Sequence, residues 1–373
     1  MKRIVYVVNN ASFFVSHRLE LGKAARAEGW DVHVAAPEPD APARAALRGF
    51  DLHVVRMKRA HGRPWSEPLT LWDLVRLYRC LRPDVVHHVG LKPAIYGTLA
   101  ARIAGVRRIV NAITGLGYLF IAEGLLASIA RGMVKLALKG LFRDSRCVTI
   151  FQNPTDYEMF IRGGLSRRET SVMIKGAGVD LTRFSRAEEV EGLPVVLFIG
   201  RLLWHKGAGE FVGAARRLRN APTRARFVLI GDLDVGNPAG VPRDVVEGWV
   251  REGVVEWWGY REDVPDLMRK AHIVCLPSYR EGAPKVLLEA AACGRPVVTT
   301  DCPGCRDVVV HGENGFVVPV ANDAALASAL DVLIQDPKLR RDMGVRGRAM
   351  AEAEFSLERV VPRTLSLYEP RLS

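Results

Sequence analysis

Cysteine is scarce in this chain: six in 373 residues (Cys80, Cys147, Cys275, Cys293, Cys302 and Cys305). That is too few for a disulfide scaffold, and they read as reduced thiols of an intracellular protein. No run of about 18 uncharged apolar residues occurs, so no membrane-spanning helix is expected. Met1-Lys2-Arg3 followed by Ile4–Val8 has the order of a signal peptide, but the apolar run is short and meets Asn9-Asn10. It reads as a first strand. No Gly-x-x-x-x-Gly-Lys-Ser/Thr loop is present, which sets aside a P-loop ATPase. There is no close internal repeat, no low-complexity tract and no block of five or more basic residues, so a polybasic tail is excluded.

What is there begins with size and charge. The length suits about two domains, and 49% hydrophobic residues suffice for large cores. Lys and Arg number 53 against 41 Asp and Glu, a net charge of +12. Such a balance favours acidic partners: nucleotide phosphates, nucleic acid or an anionic membrane face. The cations are scattered and no nucleic-acid recognition motif accompanies them, which argues against nucleic acid.

Apolar runs and helical stretches alternate. Ile4–Val8, Val32–Ala35, Leu52–Val55, Val85–His88, Arg108–Asn111, Val148–Phe151 and Ser171–Ile174 read as strands. Ser16–Glu28, Leu69–Cys80, Pro93–Ala104 and a stretch from Pro154 read as helices between them. The rhythm restarts at Val195–Ile199 and continues through Phe227–Ile230, Val254–Trp257, Ile273–Leu276, Val297–Thr300 and Phe316–Val318. This is the pattern of an α/β chain with two doubly wound parallel sheets. The expected domains are 1–178 and 190–356, with 175–194 as a linker and a last helix over 357–373 packing back on the first domain. Ligands are expected at the strands' carboxyl ends, in a cleft between the domains.

One segment departs from the rhythm. Over 122–142, Leu125, Leu126, Ile129, Met133, Leu136, Ala137 and Leu141 share one broad helical face. Arg131, Lys135, Lys139 and Arg143 follow the opposite flank, joined by Leu138 and Phe142. Such a helix either lies on an anionic membrane or is an ordinary crossover helix with a solvated basic face.

The most informative stretch is Glu281-Gly-Ala-Pro-Lys-Val-Leu-Leu-Glu289. Glu281 falls in a Gly/Pro turn, whose N–H groups and following helix start suit an anion. Glu289 is expected two turns inside that helix. Upstream, Gly200-Arg201-Leu-Leu-Trp-His-Lys206-Gly207 follows the strand Val195–Ile199, a loop with two cations at its mouth. Two cations and two carboxylates at strand ends of one domain suggest a diphosphate bracketed by two sugar rings. Asp232-Leu-Asp234 has the form of a metal-binding pair but stands alone in sequence and reads as a loop. Cys302-Pro-Gly-Cys305 has redox spacing without a second pair to support zinc. Trp257-Trp258 reads as packing.

Taken together these residues resemble family 4 of the glycosyltransferases, which have the GT-B fold. The pieces are Gly200-Arg201 with Lys206-Gly207, Gly259 to Met268, Leu276-Pro277-Ser278 with Glu281-Gly282, Glu289 to Gly294, Pro303-Gly304-Cys305-Arg306, and Gly312 to Gly315. The first half is similar to a narrower set, bacterial enzymes that build O-antigen, capsule and other lipid-linked polysaccharides. That similarity rests on Phe13 to Arg18, Val85-Val86-His87, Lys92 to Gly97, and Ile113-Thr114-Gly115-Leu116-Gly117.

The resemblance implies roles. Arg201 and Lys206 would hold the donor diphosphate, with Gly200 beside them. Glu281 would meet the donor sugar, Glu289 the ribose, and Gly282, Ala283, Pro284, Lys285 and Val286 would line the donor. Ser16, His17, Lys92, Thr114, Gly115 and Gly117 would serve the acceptor or phosphate side. His87 or His88 could be a general base or a satisfied strand-end histidine; many relatives carry a further histidine where this chain has Val89. The reaction implied is a retaining transfer without metal or cofactor, from a nucleotide sugar, UDP-linked, to a polyprenyl-diphosphate-linked saccharide. The protein would act on the inner face of the cytoplasmic membrane. The alternatives are a UDP-sugar 2-epimerase of similar fold, for which the first domain offers no convincing carboxylate set, a silent sugar-binding protein, and a nucleic-acid-binding protein.

Overall fold

The structure is a computed structural model that describes residues 1–57, 67–115, 124–219 and 224–369. The chain divides into two compact units, Met1–Ala177 with the segment from Glu358, and Gly178–Leu357.

In the first unit the strands are β1 (Arg3–Val8), β2 (Asp31–Ala36), β3 (Asp51–Val54), β4 (Val85–Val89), β5 (Arg108–Ile113), β6 (Cys147–Phe151) and β7 (Ser171–Met173). They pair in the order β3-β2-β1-β4-β5-β6-β7, all parallel. In the second unit they are β8 (Val195–Ile199), β9 (Arg226–Ile230), β10 (Glu256–Trp257), β11 (Ile273–Leu276), β12 (Val297–Thr300) and β13 (Gly315–Val318). Their order is β10-β9-β8-β11-β12-β13, again parallel. Central strands such as β1 and β4 are buried along nearly their whole length. That is why they read as continuous apolar runs rather than alternating ones. Strand order reverses between β1 and β4 and between β8 and β11, the places where doubly wound sheets open a crevice.

The helices of the first unit are α1 (Ala11–His17), α2 (Leu19–Ala27), α3 (Ala41–Ala46), α4 (Glu67–Leu81), α5 (Leu91–Ala104), α6 (Leu125–Phe142) and α7 (Pro154–Arg162). The second unit has α8 (Ala208–Leu218), α9 (Arg243–Arg251), α10 (Val264–Lys270), α11 (Lys285–Ala292), α12 (Asp323–Gln335) and α13 (Pro337–Met350). The last helix, α14 (Leu357–Leu365), carries the chain back to the first unit. There Val360, Leu365 and Tyr368 join the core around Ile4, Tyr6 and Val34.

Four expectations change. The helix expected over 16–28 is two helices. Asn10 starts α1 early by accepting from the Phe13 N–H, and Arg18 breaks it with a non-helical backbone. Within the 175–194 stretch expected as a linker, residues 187–189 are tied to the second unit: Glu189 takes the Nε of buried Arg340 at 2.9 Å, and Arg295 donates to the Ala187 and Glu188 carbonyls. Glu289 lies one turn inside its helix, because Pro284 delays the start of α11 to Lys285. Finally, α6 buries Leu141 together with Leu138 and Phe142 of the basic flank, while Ile129, Met133 and Leu136 of the expected apolar face are exposed.

Candidate functional site

The second unit assembles its site from three strand-end loops. Beyond β8, Gly200 and Arg201 lead into one turn of 3-10 helix, Trp204–Lys206, closed by Gly207 at φ 81°. A Cβ on Gly207 would lie 2.1 Å from the Pro277 carbonyl oxygen, so only glycine lets this loop press against the end of β11. The Tyr279 N–H donates to the His205 carbonyl at 2.9 Å and fixes the approach.

That approach puts Lys206 Nζ on Glu281 Oε1, which also accepts the Ser278 hydroxyl at 2.8 Å. Both members of the ion pair are largely sheltered, with side chains 22% and 13% exposed. From behind, the turn after β12 holds Glu281 in place. The Glu281 N–H donates to the Pro303 carbonyl at 3.0 Å, and a Cβ on Gly304 would meet the Gly282 carbonyl at 2.6 Å. Cys302 and Cys305 are buried in this turn as free thiols.

Pro284 and Lys285 then open α11, whose start has no side-chain cap. Its first-turn N–H groups lack intrahelical partners, the usual seat for an anion. Glu289 is buried and bonded to Lys285 at 3.0 Å across one turn. Burial raises its carboxyl above the ordinary range, and the Lys285 and Arg183 cations pull it part of the way back. Burial and the Lys206 charge hold the His205 imidazole below its ordinary value.

Arg201 is half exposed and bonds Asp234, which also accepts from the Asn237 side chain at 3.1 Å. Asp234 and Ser278 are therefore members of the cluster that sequence reasoning missed. By sequence Asp234 reads as loop; the signal that finds it is its place past β9, the neighbour of β8. Ala283 and Val286 lie in the same turn and helix start. Trp257 donates its indole N–H to the Gly231 carbonyl at 3.0 Å.

In the first unit, Ser16 and His17 end α1, just past β1, and Lys92 begins α5, past β4. Thr114 and Gly115 follow β5. The carboxyl ends of three neighbouring strands thus gather these residues at one edge of the sheet. Ser16 Oγ and His17 Nδ1 are 2.7 Å apart, and His17 stacks on Phe13 with centroids 4.1 Å apart. Lys92 is paired with Glu67 at 2.7 Å. Gly117 lies outside the described residues.

His87 and His88 belong elsewhere. Both are fully buried within β4, which continues to Val89. His87 Nδ1 meets the Tyr368 hydroxyl at 2.7 Å. His88 Nδ1 meets Asn111 Oδ1 at 2.7 Å and its Nε2 meets the Tyr78 hydroxyl at 3.0 Å. A Cβ on Gly97 would lie 2.3 Å from the His88 ring, so α5 packs directly onto it. Burial pushes His88 down to about 4, and burial with the nearby Arg18 charge pushes His87 well down too. They are neutral core histidines held by polar partners, not a general base facing ligand.

A family model described as "Glycosyl transferase 4-like" matches residues 3–153, and one described as "Glycosyl transferases group 1" matches 193–336. A Campylobacter jejuni protein, N,N'-diacetylbacillosaminyl-diphospho-undecaprenol alpha-1,3-N-acetylgalactosaminyltransferase, is 28% identical over 98% of both chains. The Escherichia coli UDP-Gal:alpha-D-GlcNAc-diphosphoundecaprenol alpha-1,3-galactosyltransferase is 27% identical over 79% of this chain and 78% of its own. Among solved structures, HepE of Anabaena in complex with UDP and glucose superposes with a TM-score of 0.78 at 19% identity, over 98% of both chains. Sucrose-phosphate synthase of Thermosynechococcus elongatus gives 0.81 at 20% identity, over 99% and 98%.

Proposed function

This chain belongs to family 4 of the glycosyltransferases and has the GT-B fold, and we propose that it moves a sugar from a UDP-linked donor to a polyprenyl-diphosphate-linked saccharide. The observation that carries the reading is the meeting of Lys206 with Glu281, residues from two loops, beside the uncapped start of α11 and buried Glu289. Breaking the bond from sugar to nucleotide builds charge on the leaving β-phosphate. Lys206 and Arg201 are two preorganised cations for that charge; Arg supplies a fork and Lys a point charge. Glu281 accepts from sugar hydroxyls and Glu289 from the ribose.

The transfer retains anomeric configuration in this reading. Glu281 is engaged with Lys206 and Ser278, which suits a hydroxyl anchor better than a nucleophile. The acceptor attacks from the face the phosphate leaves, and the phosphate oxygen takes its proton. The same residues support a transfer without metal: Lys206 and Arg201 would meet the diphosphate, and Asp234 of the Asp-x-Asp pair is bonded to Arg201. The Campylobacter and Escherichia relatives bear names with undecaprenyl-diphosphate saccharides, which supports a lipid-linked acceptor and a place in surface-polysaccharide synthesis.

A lipid-linked acceptor brings the enzyme to the inner face of the cytoplasmic membrane. No described helix is long and apolar enough to cross one. The contact we assign is α6, which buries Val134, Leu138, Leu141 and Phe142 against Ala94 and Ile113, wholly or in part. On its outer side Ile129, Met133 and Leu136 stay more than half exposed, with Lys135 and Lys139 exposed alongside. An outward apolar stripe bordered by cations suits an anionic lipid surface.

The test is a screen of nucleotide sugars with released nucleotide as readout, repeated with a polyprenyl-diphosphate saccharide present. Release from a UDP-sugar, stimulated by the lipid acceptor, supports the reading. Release confined to another nucleotide, or stimulation by a free sugar alone, overturns its finer parts.

A further inference from the structure

A second constellation lies at the opposite, amino-terminal ends of the first sheet's strands. Register builds it. His33 of β2 pairs beside Asp51 of β3, Ala35 beside His53, and Arg3 of β1 beside Asp31. Side chains alternate along a strand, so Arg3, Asp31, His33, Asp51 and His53 leave one face of the sheet. Further along, that face carries Val5, Ala35 and Val55 into the core.

The contacts are close. His33 Nδ1 is 3.0 Å from His53 Nε2 and 3.8 Å from Asp51 Oδ2. His33 Nε2 is 3.2 Å from Asp31 Oδ2, which takes Arg3 Nε at 2.6 Å. Asp31, His33 and Asp51 each bring one donor atom within 4.8 Å of the others. His33 is 6% exposed, yet its Nε2 lacks an aligned hydrogen bond. An imidazole buried at an apolar face without full hydrogen bonding is costly.

We propose that this cluster binds a first-row transition-metal cation of the Zn²⁺ class, held by His33 Nδ1, His53 Nε2 and an Asp51 carboxylate oxygen. Two imidazoles with one carboxylate form a borderline donor set, suited to Zn²⁺ or Co²⁺ rather than to Mg²⁺ or Ca²⁺. Two nitrogens 3.0 Å apart can both sit about 2.1 Å from one ion. With the ion on Nδ1, the Nε2–H of His33 would have Asp31 Oδ2, 3.2 Å away, as its acceptor, which would satisfy the atom now without an aligned hydrogen bond and form a carboxylate–histidine–metal relay. Arg3 in turn keeps Asp31 outside the coordination shell. Asp51 has a side chain 71% exposed, which gives the ion its way in. Because β3 is a four-residue edge strand, the ion would staple it to β2. The residues proposed for transfer lie at the other ends of the strands, so this site acts on stability and not on the reaction.

The full chain, stripped with chelator and dialysed, is titrated with Co²⁺ while visible d–d absorption is followed. The expected result is a band that saturates at one ion per chain and is bleached by Zn²⁺. His53→Gln and Asp51→Asn, both at accessible positions, each weaken binding at least about tenfold, and Asp31→Asn about tenfold through the orientation of His33. Zn²⁺ should raise the melting temperature of the parent but not of the His53→Gln/Asp51→Asn double variant. No d–d band with the parent, or the same band and affinity in the double variant, overturns the proposal.

Discussion

Lys206→Ala is expected to cut turnover at least about a hundredfold while the protein stays folded. In the resting site Lys206 Nζ is bonded to Glu281, and the pair is sheltered. An ammonium has three donors, so it can keep Glu281 and still reach a phosphate oxygen. The contact to phosphate strengthens as the leaving oxygen gains charge, and only such differential interactions accelerate the chemistry. Removing one preorganised donor from a developing oxyanion costs about 3 kcal/mol, or about 10²–10³ in rate. The stability cost is smaller, because Glu281 keeps the Ser278 hydroxyl at 2.8 Å and the Pro303 carbonyl still holds its backbone. A loss of about 1 kcal/mol corresponds to about 2–4 °C in a unit of this size. The assay is nucleotide release from the cognate donor, with a melting curve on the same preparation. Lys206→Arg should recover part of the rate, since it keeps the charge but not the compact geometry. Turnover within tenfold of the parent in Lys206→Ala, with an unchanged melt, would refute the reasoning.

The remaining expectations test other parts of the cluster. By calorimetry, Glu289→Ala weakens UDP binding about tenfold or more, whereas Glu281→Ala spares UDP and removes the increment gained with the cognate UDP-sugar; unchanged UDP affinity in Glu289→Ala would end the ribose assignment. Burial raises the Glu289 carboxyl, and ribose hydroxyls need the carboxylate, so UDP affinity should fall as pH drops into that raised range in the parent but not in Glu289→Gln. The sign for stability is the reverse: the contribution is full below the ordinary glutamate range and is lost as pH rises through the raised value. Transfer should persist in EDTA, even if the melting temperature falls; loss restored only by Mg²⁺ or Mn²⁺ would count against the two-cation site. The parent should sediment with anionic vesicles at low salt, each cation of α6 adding about 1 kcal/mol near the surface. Lys135→Glu/Lys139→Glu should release it without moving the melt, and a parent that ignores such vesicles would remove the docking role.

The meeting of Lys206 with Glu281 was legible because its signals are local and chemical. The strand Val195–Ile199 has the bounds read from its apolar run, and the cations follow directly beyond it. Gly207 and Gly304 stand where two backbones nearly touch, which no other residue permits. Asp234 was opaque for a different reason. Its partner Arg201 is 33 residues away, joined to it only because β8 and β9 are neighbours. A parallel sheet makes such meetings through strand order, and strand order is not written in the periodicity of either strand.

The histidines and α6 failed on orientation rather than on element type. Adjacent residues of a strand face opposite sides, so His87 and His88 could never both have aimed at one ligand. His87 goes to Tyr6 and Tyr368, and His88 goes under α5. In a strand buried on both faces, only residues past the last paired position can reach a ligand, and Val89 still pairs with Ala112. That places Lys92, Thr114 and Gly115 at the edge and the histidines beneath it. In α6 the apolar residues exceed what one face needs, and periodicity alone merged two stripes into one. Burial separates them: Leu138, Leu141 and Phe142 join the core with Phe151 and Phe160, while Met133 and Leu136 stay more than half exposed. The outer stripe, bordered by exposed Lys135 and Lys139, is what the proposed anionic lipid contact rests on, and vesicle sedimentation decides between it and a merely solvated face.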